Sequence, residues 1–167
     1  MSIRPIKMTS QAQPTMEGAG VHLHRVFGFG DTDPFDPFLM MDDFRNDNPQ
    51  EYLKGFPWHP HRGIETITYV LKGNVEHSDS LGNTGVLSDG DVQWMTAGSG
   101  IIHQEMPTGN ADGQMHGFQL WANLPRDQKM CTPRYQDVAS EHITSLTDDD
   151  GTHIRVIAGD YRGYRGP

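Results

Sequence analysis

Glycine and proline recur along this chain between short segments of alternating character, and that spacing constrains the fold more than any other feature. The 167 residues include 19 Gly and 11 Pro, and only 35% are apolar. Turn residues at intervals of roughly 8 to 12 positions are typical of a β-sandwich or barrel. We therefore predict a single all-β domain with a few short helical turns, and not a helical bundle.

Several segments have the pattern expected of strands. Residues 64–71 are rich in β-branched and aromatic side chains, and a strand there would turn Ile64, Thr66, Thr68 and Val70 to one face. The predicted strands are 21–27, 38–41, 64–71, 75–78, 92–96, 101–105, 115–122 and 153–158. Only residues 125–130 and 139–146 have the composition of a helical turn.

Charge and composition exclude several classes of protein. The chain carries 22 acidic and 13 basic residues, for a net charge of −9, which argues against nucleic-acid binding through phosphate neutralisation. Its single cysteine, Cys131, cannot form an intramolecular disulfide. No apolar run approaches the roughly 20 residues of a membrane helix, and the first residues lack the apolar core of a signal peptide. We expect a soluble cytoplasmic protein, also compatible with a nuclear location in a eukaryote, that contacts neither nucleic acid nor membrane directly.

Two closely spaced pairs of metal-binding side chains stand out. The first pair is His59 and His61, and the second is His103 and Glu105. Residues two apart on a strand point to the same face, so each pair projects together. If the two segments lie side by side, three imidazoles and one carboxylate converge on a point. Such a mixed nitrogen and oxygen set suits one divalent transition-metal ion.

This ligand set would leave part of an octahedral shell open. Open positions indicate a catalytic site, because closed structural zinc sites usually recruit cysteine. A single His-x-His is weak evidence, and the alternative is that these histidines are unrelated surface or core residues. Two pairs in a β-rich chain favour the metal site.

The same segments resemble the pirin family of the cupin superfamily. The similarity lies in the consecutive blocks PFDPFLMMDDF, GFPWHPHRGIETITYVLKGNVEHSDSLGN, GDVQWMTAGSGIIHQEMP, GFQLWANLP and RVIAGDYRGYRGP, which cover roughly residues 21–167. The resemblance implies a double-stranded β-helix, the cupin jelly-roll barrel, with a metal ion in its mouth. The pirin ligand pattern falls on His59, His61, His103 and Glu105. The general cupin pattern would instead offer Glu65, which we interpret as a surface acid or a supporting one.

The resemblance also implies a function. Some pirins are quercetin 2,3-dioxygenases, so the expected substrates are a small aromatic molecule such as a flavonol, together with dioxygen. Glu105 would then both bind the metal and accept the proton of the substrate hydroxyl. The expected ion is Fe(II), with Ni, Cu, Mn and Zn as alternatives. The competing hypotheses are a metal- or redox-dependent regulator that binds transcription factors or metabolic enzymes, and a barrel enzyme with an unrelated substrate.

Pirins normally contain two cupin domains, whereas the resemblance here ends with the first. We expect residues 1–20 to be a flexible lead-in and residues 21–167 to form a pirin-type N-terminal cupin domain, without the second. A lone first barrel would expose a face that the second barrel normally covers. We therefore expect a homodimer that uses this face, with residues 156–164 and the N-terminal segment as candidate contacts.

Overall fold

The computed structural model of the protein describes residues 5–167, which form an almost entirely β structure. In chain order the strands are β1 Gln13–Glu17, β2 Val21–Phe27, β3 Phe38–Asp43, β4 Phe56–His61, β5 Ile64–Lys72, β6 Val75–Asp79, β7 Thr84–Leu87, β8 Val92–Thr96, β9 Ile101–Pro107, β10 His116–Asn123, β11 Arg134–Val138, β12 Thr144–Thr147, β13 His153–Val156, β14 Asp160–Tyr161 and β15 Tyr164–Arg165. Two short 3-10 helices span Pro49–Glu51 and Ser140–His142. None of the described helices has the length or the apolar character needed to cross a membrane.

Two antiparallel sheets make up the barrel. The larger has seven strands in the order β1-β2-β3-β10-β5-β8-β11, and the smaller has four in the order β4-β9-β6-β7. Strands far apart in sequence are neighbours in both sheets, as expected of a jelly roll. Two hairpins, β12-β13 and β14-β15, follow near the C-terminus. The prediction of an all-β cupin barrel is confirmed.

Alternation along the strands separates the inside of the barrel from the outside. In β9, Ile101, His103 and Glu105 are buried, whereas Ile102 between them is 47% exposed. The period of two therefore sends polar as well as apolar side chains inward. The largest apolar cluster consists of Val21, Tyr52, Val70, Val75, Leu87 and Met115. The cluster joins the two sheets, because Val70 lies on β5 of the larger sheet and Val75 on β6 of the smaller one.

The structure also departs from the sequence-based expectations. The flexible lead-in proposed for residues 1–20 is wrong for Gln13–Glu17, which form β1 and pair with β2 at the edge of the larger sheet. Residues 1–4 lie outside the described part. Residues 125–130 form a turn closed by a hydrogen bond from Gln128 N to Pro125 O, and not a helix. Backbone pairing with a neighbouring strand, which single-segment patterns do not reveal, accounts for β1.

Candidate metal centre

Strands β4 and β9 carry the predicted metal ligands. The two strands pair in antiparallel register, with His59 opposite His103 and His61 opposite Ile101. The side-by-side arrangement on which the prediction depended is therefore present. The nitrogen ligand atoms of His59, His61 and His103 all lie within 4.8 Å of one another.

The spacing of the imidazoles fits a metal ion. The Nε2 atoms of His59 and His103 are 3.0 Å apart. Two nitrogens bound at about 2.1 Å and at right angles would be separated by about 3.0 Å. The observed separation therefore matches adjacent positions of an octahedral shell. The three rings meet edge to face or tilted, with centroids 4.4 to 4.9 Å apart, so their nitrogens converge.

Burial keeps two of these imidazoles in the form that binds metals. His103 is fully buried and His61 is 8% exposed. Burial, helped by the neighbouring histidines, lowers the pKa of His103 to about 3 and that of His61 to about 4. At neutral pH both rings are therefore uncharged, as coordination requires.

Glu105, which lies on β9 two residues after His103, is next to the histidine cluster. Its Oε2 is 3.8 Å from Nε2 of His103, and its Oε1 is 3.4 Å from the Thr68 hydroxyl. Burial raises the pKa of the Glu105 carboxyl, while His59 and His61 act in the opposite direction. The predicted acid thus lies next to His103, while the described ligand atoms within 4.8 Å of one another are those of the three histidines. The rejected alternative, Glu65, instead accepts a hydrogen bond from Thr96 Oγ1 at 2.7 Å.

Sequence reasoning missed the support behind His103. The hydroxyl of Tyr135, on β11, is 3.1 Å from Nδ1 of His103. The Tyr135 ring stacks on His77 at a centroid distance of 5.6 Å, and Nε2 of His77 is 3.3 Å from Oδ2 of Asp137. Histidine ligands commonly donate their second ring nitrogen to such a partner, which fixes the ring orientation.

A cavity of about 440 Å³ opens onto the histidines. This volume lies in the range of small-molecule sites. His59, His61 and Glu105 line one part of it, and much of the remaining wall is apolar, including Val21, Leu23, Met40, Phe56 and Met115. Trp121 also lines the cavity and meets His61 edge to face, with ring centroids 5.0 Å apart. The site therefore joins a potential metal centre to a pocket for an apolar ligand.

Known proteins share this architecture. A protein of Pseudomonas aeruginosa named "Putative quercetin 2,3-dioxygenase" is 51% identical over 146 residues, which are 87% of this chain and 51% of that protein. The crystal structure of a quercetin 2,3-dioxygenase from Acinetobacter baumannii has a TM-score of 0.80 at 34% identity, covering 97% of this chain and 60% of that one. A bacterial pirin from Escherichia coli, crystallised with nickel(II), has a TM-score of 0.60 at 31% identity, covering 75% of this chain and 53% of that one.

The chain spans about half the length of the curated relatives it matches. The family model described as Pirin matches residues 20–122, which include β4, β9 and all four predicted ligands. Because this match covers more than half of the residues, the chain belongs to the pirin family.

Proposed function

We propose that this protein is a metal-dependent dioxygenase that opens a flavonol such as quercetin, with His59, His61, His103 and Glu105 as metal ligands. The observation that carries the proposal is the convergence of three imidazoles, with a buried carboxylate beside them, on an apolar cavity. The names of the Pseudomonas and Acinetobacter relatives support the same reaction.

The chain's own residues would divide the work between binding and proton transfer. A metal ion held by His59, His61, His103 and Glu105 would supply Lewis-acid chemistry that favours the deprotonated form of a substrate hydroxyl. Glu105, whose Oε2 is 3.8 Å from Nε2 of His103, would accept the proton of that hydroxyl. The apolar walls hold the flat rings of the substrate and exclude water.

The donor set does not specify one metal. Three imidazoles and a carboxylate accept several first-row ions, and availability often decides among them. We propose Fe(II) as the ion of the active form, with Ni, Cu, Mn or Zn as alternatives. The nickel complex of the Escherichia coli pirin supports a divalent ion in a protein of this fold.

Two measurements test the proposal together. Metal analysis of the purified protein should find one ion per chain, and the Fe(II)-loaded protein should consume dioxygen when quercetin is added. Uptake that depends on both metal and flavonol supports the dioxygenase. A metal-loaded protein that consumes no dioxygen with quercetin contradicts it.

A second candidate function, binding to another protein, is favoured by the outer face of the four-stranded sheet. Trp58 on β4, Ile102 on β9 and Val86 on β7 are 53%, 47% and 57% exposed. Apolar side chains grouped on one face often mark an interaction surface. The simplest partner is a second copy of this chain, bound through a face other than residues 156–164 and the N-terminal segment that the sequence suggested. Light scattering at micromolar concentration should then detect a dimer that Trp58→Ser weakens, whereas a strict monomer contradicts self-association.

A further inference from the structure

A row of polar side chains crosses the wall of the cavity from strand to strand. Arg25 on β2 pairs with Asp42 on β3, Asp42 with Gln119 on β10, and Gln119 with Thr68 on β5. All four residues line the cavity. Asp42 and Thr68 are only 3% and 2% exposed. We call these four residues the polar row.

The polar row begins at the metal centre and leads away from it. The Thr68 hydroxyl is 3.4 Å from Oε1 of Glu105 and donates to Oε1 of Gln119 at 2.6 Å. Neighbouring strands are about 4.8 Å apart, so the three steps from Thr68 to Arg25 span about 14 Å. The row is therefore long enough to follow a flat ligand of two or three rings from its metal-bound end to its far end.

Hydrogen bonds within the row leave specific groups free at its far end. Arg25 donates Nε–H and one Nη2–H to the two oxygens of Asp42, at 2.9 and 2.8 Å, and its Nη2 is 2.9 Å from Oε1 of Glu17. Within residues 5–167, Nη1 of Arg25 and Nε2 of Gln119 donate no hydrogen bond. Glu17, which also lines the cavity, retains an acceptor oxygen.

Barrel packing alone does not account for such a row. The free Nη1 of Arg25 and Nε2 of Gln119 are not among the buried polar atoms of residues 5–167 that lack a partner, so both remain accessible at the cavity. A ligand that brings oxygen atoms to these donors would form hydrogen bonds that the barrel by itself does not supply. Arg25, Asp42 and Glu17 together carry a net charge of −1, which disfavours a carboxylate or phosphate and favours neutral hydroxyl groups.

We propose that the far end of the polar row, with Glu17, is a subsite for hydroxyl groups on the ring of the substrate that lies away from the metal. Arg25 Nη1 and Gln119 Nε2 donate to ligand oxygens, and Glu17 accepts from a ligand hydroxyl. The protein thus selects flat aromatic molecules that are hydroxylated at both ends. This inference rests on the proposed flavonol function and adds to it a preference among flavonols.

Equilibrium binding of two flavonols without dioxygen tests the subsite. Quercetin carries hydroxyls on its distal ring, whereas 3-hydroxyflavone has the same skeleton and only the hydroxyl beside the carbonyl group. Fluorescence titration of the nickel-loaded protein should show that quercetin binds roughly tenfold more tightly than 3-hydroxyflavone. That difference is what about one hydrogen bond to a charged group contributes to binding. Glu17→Met and Gln119→Met should each bring the ratio of the two affinities several-fold closer to one.

Two matched variants control for the substitutions themselves. Glu76→Met and Gln136→Met make the same changes at exposed strand positions outside the cavity, and they should leave the ratio unchanged. A wild-type ratio near one, or a ratio that neither cavity variant alters, overturns the subsite and leaves the dioxygenase proposal standing. If neither flavonol binds, both the subsite and the flavonol substrate are wrong.

Discussion

The Tyr135 hydroxyl should contribute to metal affinity although it lies outside the set of ligands. In Tyr135→Phe the ring is retained, but Nδ1 of His103 loses the oxygen that lies 3.1 Å away. His103 is fully buried, so water cannot replace that partner. A buried polar group without a partner costs about 1–3 kcal/mol, and loss of such a supporting contact typically weakens metal binding about 10- to 100-fold.

Competition with a chelator of known affinity measures this effect. Nickel or zinc affinity should fall about 10- to 100-fold in Tyr135→Phe, while Tyr164→Phe, at a tyrosine that is 49% exposed on β15, should match wild type. The d–d absorption bands of the nickel-loaded protein should also shift, since the orientation of His103 changes. Equal affinities and unchanged spectra in Tyr135→Phe would refute the reasoning that this hydroxyl orients His103.

Three further predictions concern catalysis, pH and packing. Glu105→Gln should lower quercetin turnover about 10²- to 10⁴-fold and change quercetin binding much less, as steady-state and binding assays would show; equal turnover would discard the base role. The metal-free protein should lose stability as pH falls from 6.5 towards 4, because the unfolded chain binds protons on His61 and His103 that the folded chain does not. The lowered pKa of His61 corresponds to about 3 kcal/mol of unfolding free energy. In urea unfolding, His61→Ala should therefore lose less unfolding free energy than wild type as the pH falls. Gly117→Ala should cost about 1–3 kcal/mol, because its Cβ would overlap the Phe44 ring and a backbone carbonyl; an unchanged melting temperature would contradict that.

The strands and the clustering of the candidate metal-binding side chains were predictable because both depend on a period of two. The predicted strands 21–27 and 92–96 match β2 and β8 residue for residue. The same alternation predicts that His59 shares a strand face with His61, and His103 with Glu105. A pattern within one segment was sufficient for each of these predictions.

The supporting residues could not be predicted in this way. Tyr135 lies on β11, whose sequence RYQDV is largely polar and has no clear strand signal, and it reaches His103 across 32 residues of chain. The polar row likewise depends on β10 lying between β3 and β5, which local patterns do not reveal. The polar row comes from the order of strands within one sheet, and the Tyr135–His103 contact from the packing of β11 in one sheet against β9 in the other.

The central claim is that the three imidazoles and Glu105 hold a single catalytic metal ion. Metal analysis of wild type and His61→Ala, purified in parallel and reconstituted with the same ion, tests it most directly. The account predicts one ion per wild-type chain and an empty site in the variant, since His61 supplies one of three nitrogens that lie within 4.8 Å of one another. Full occupancy of His61→Ala, or a wild-type protein that binds no ion, would contradict the account.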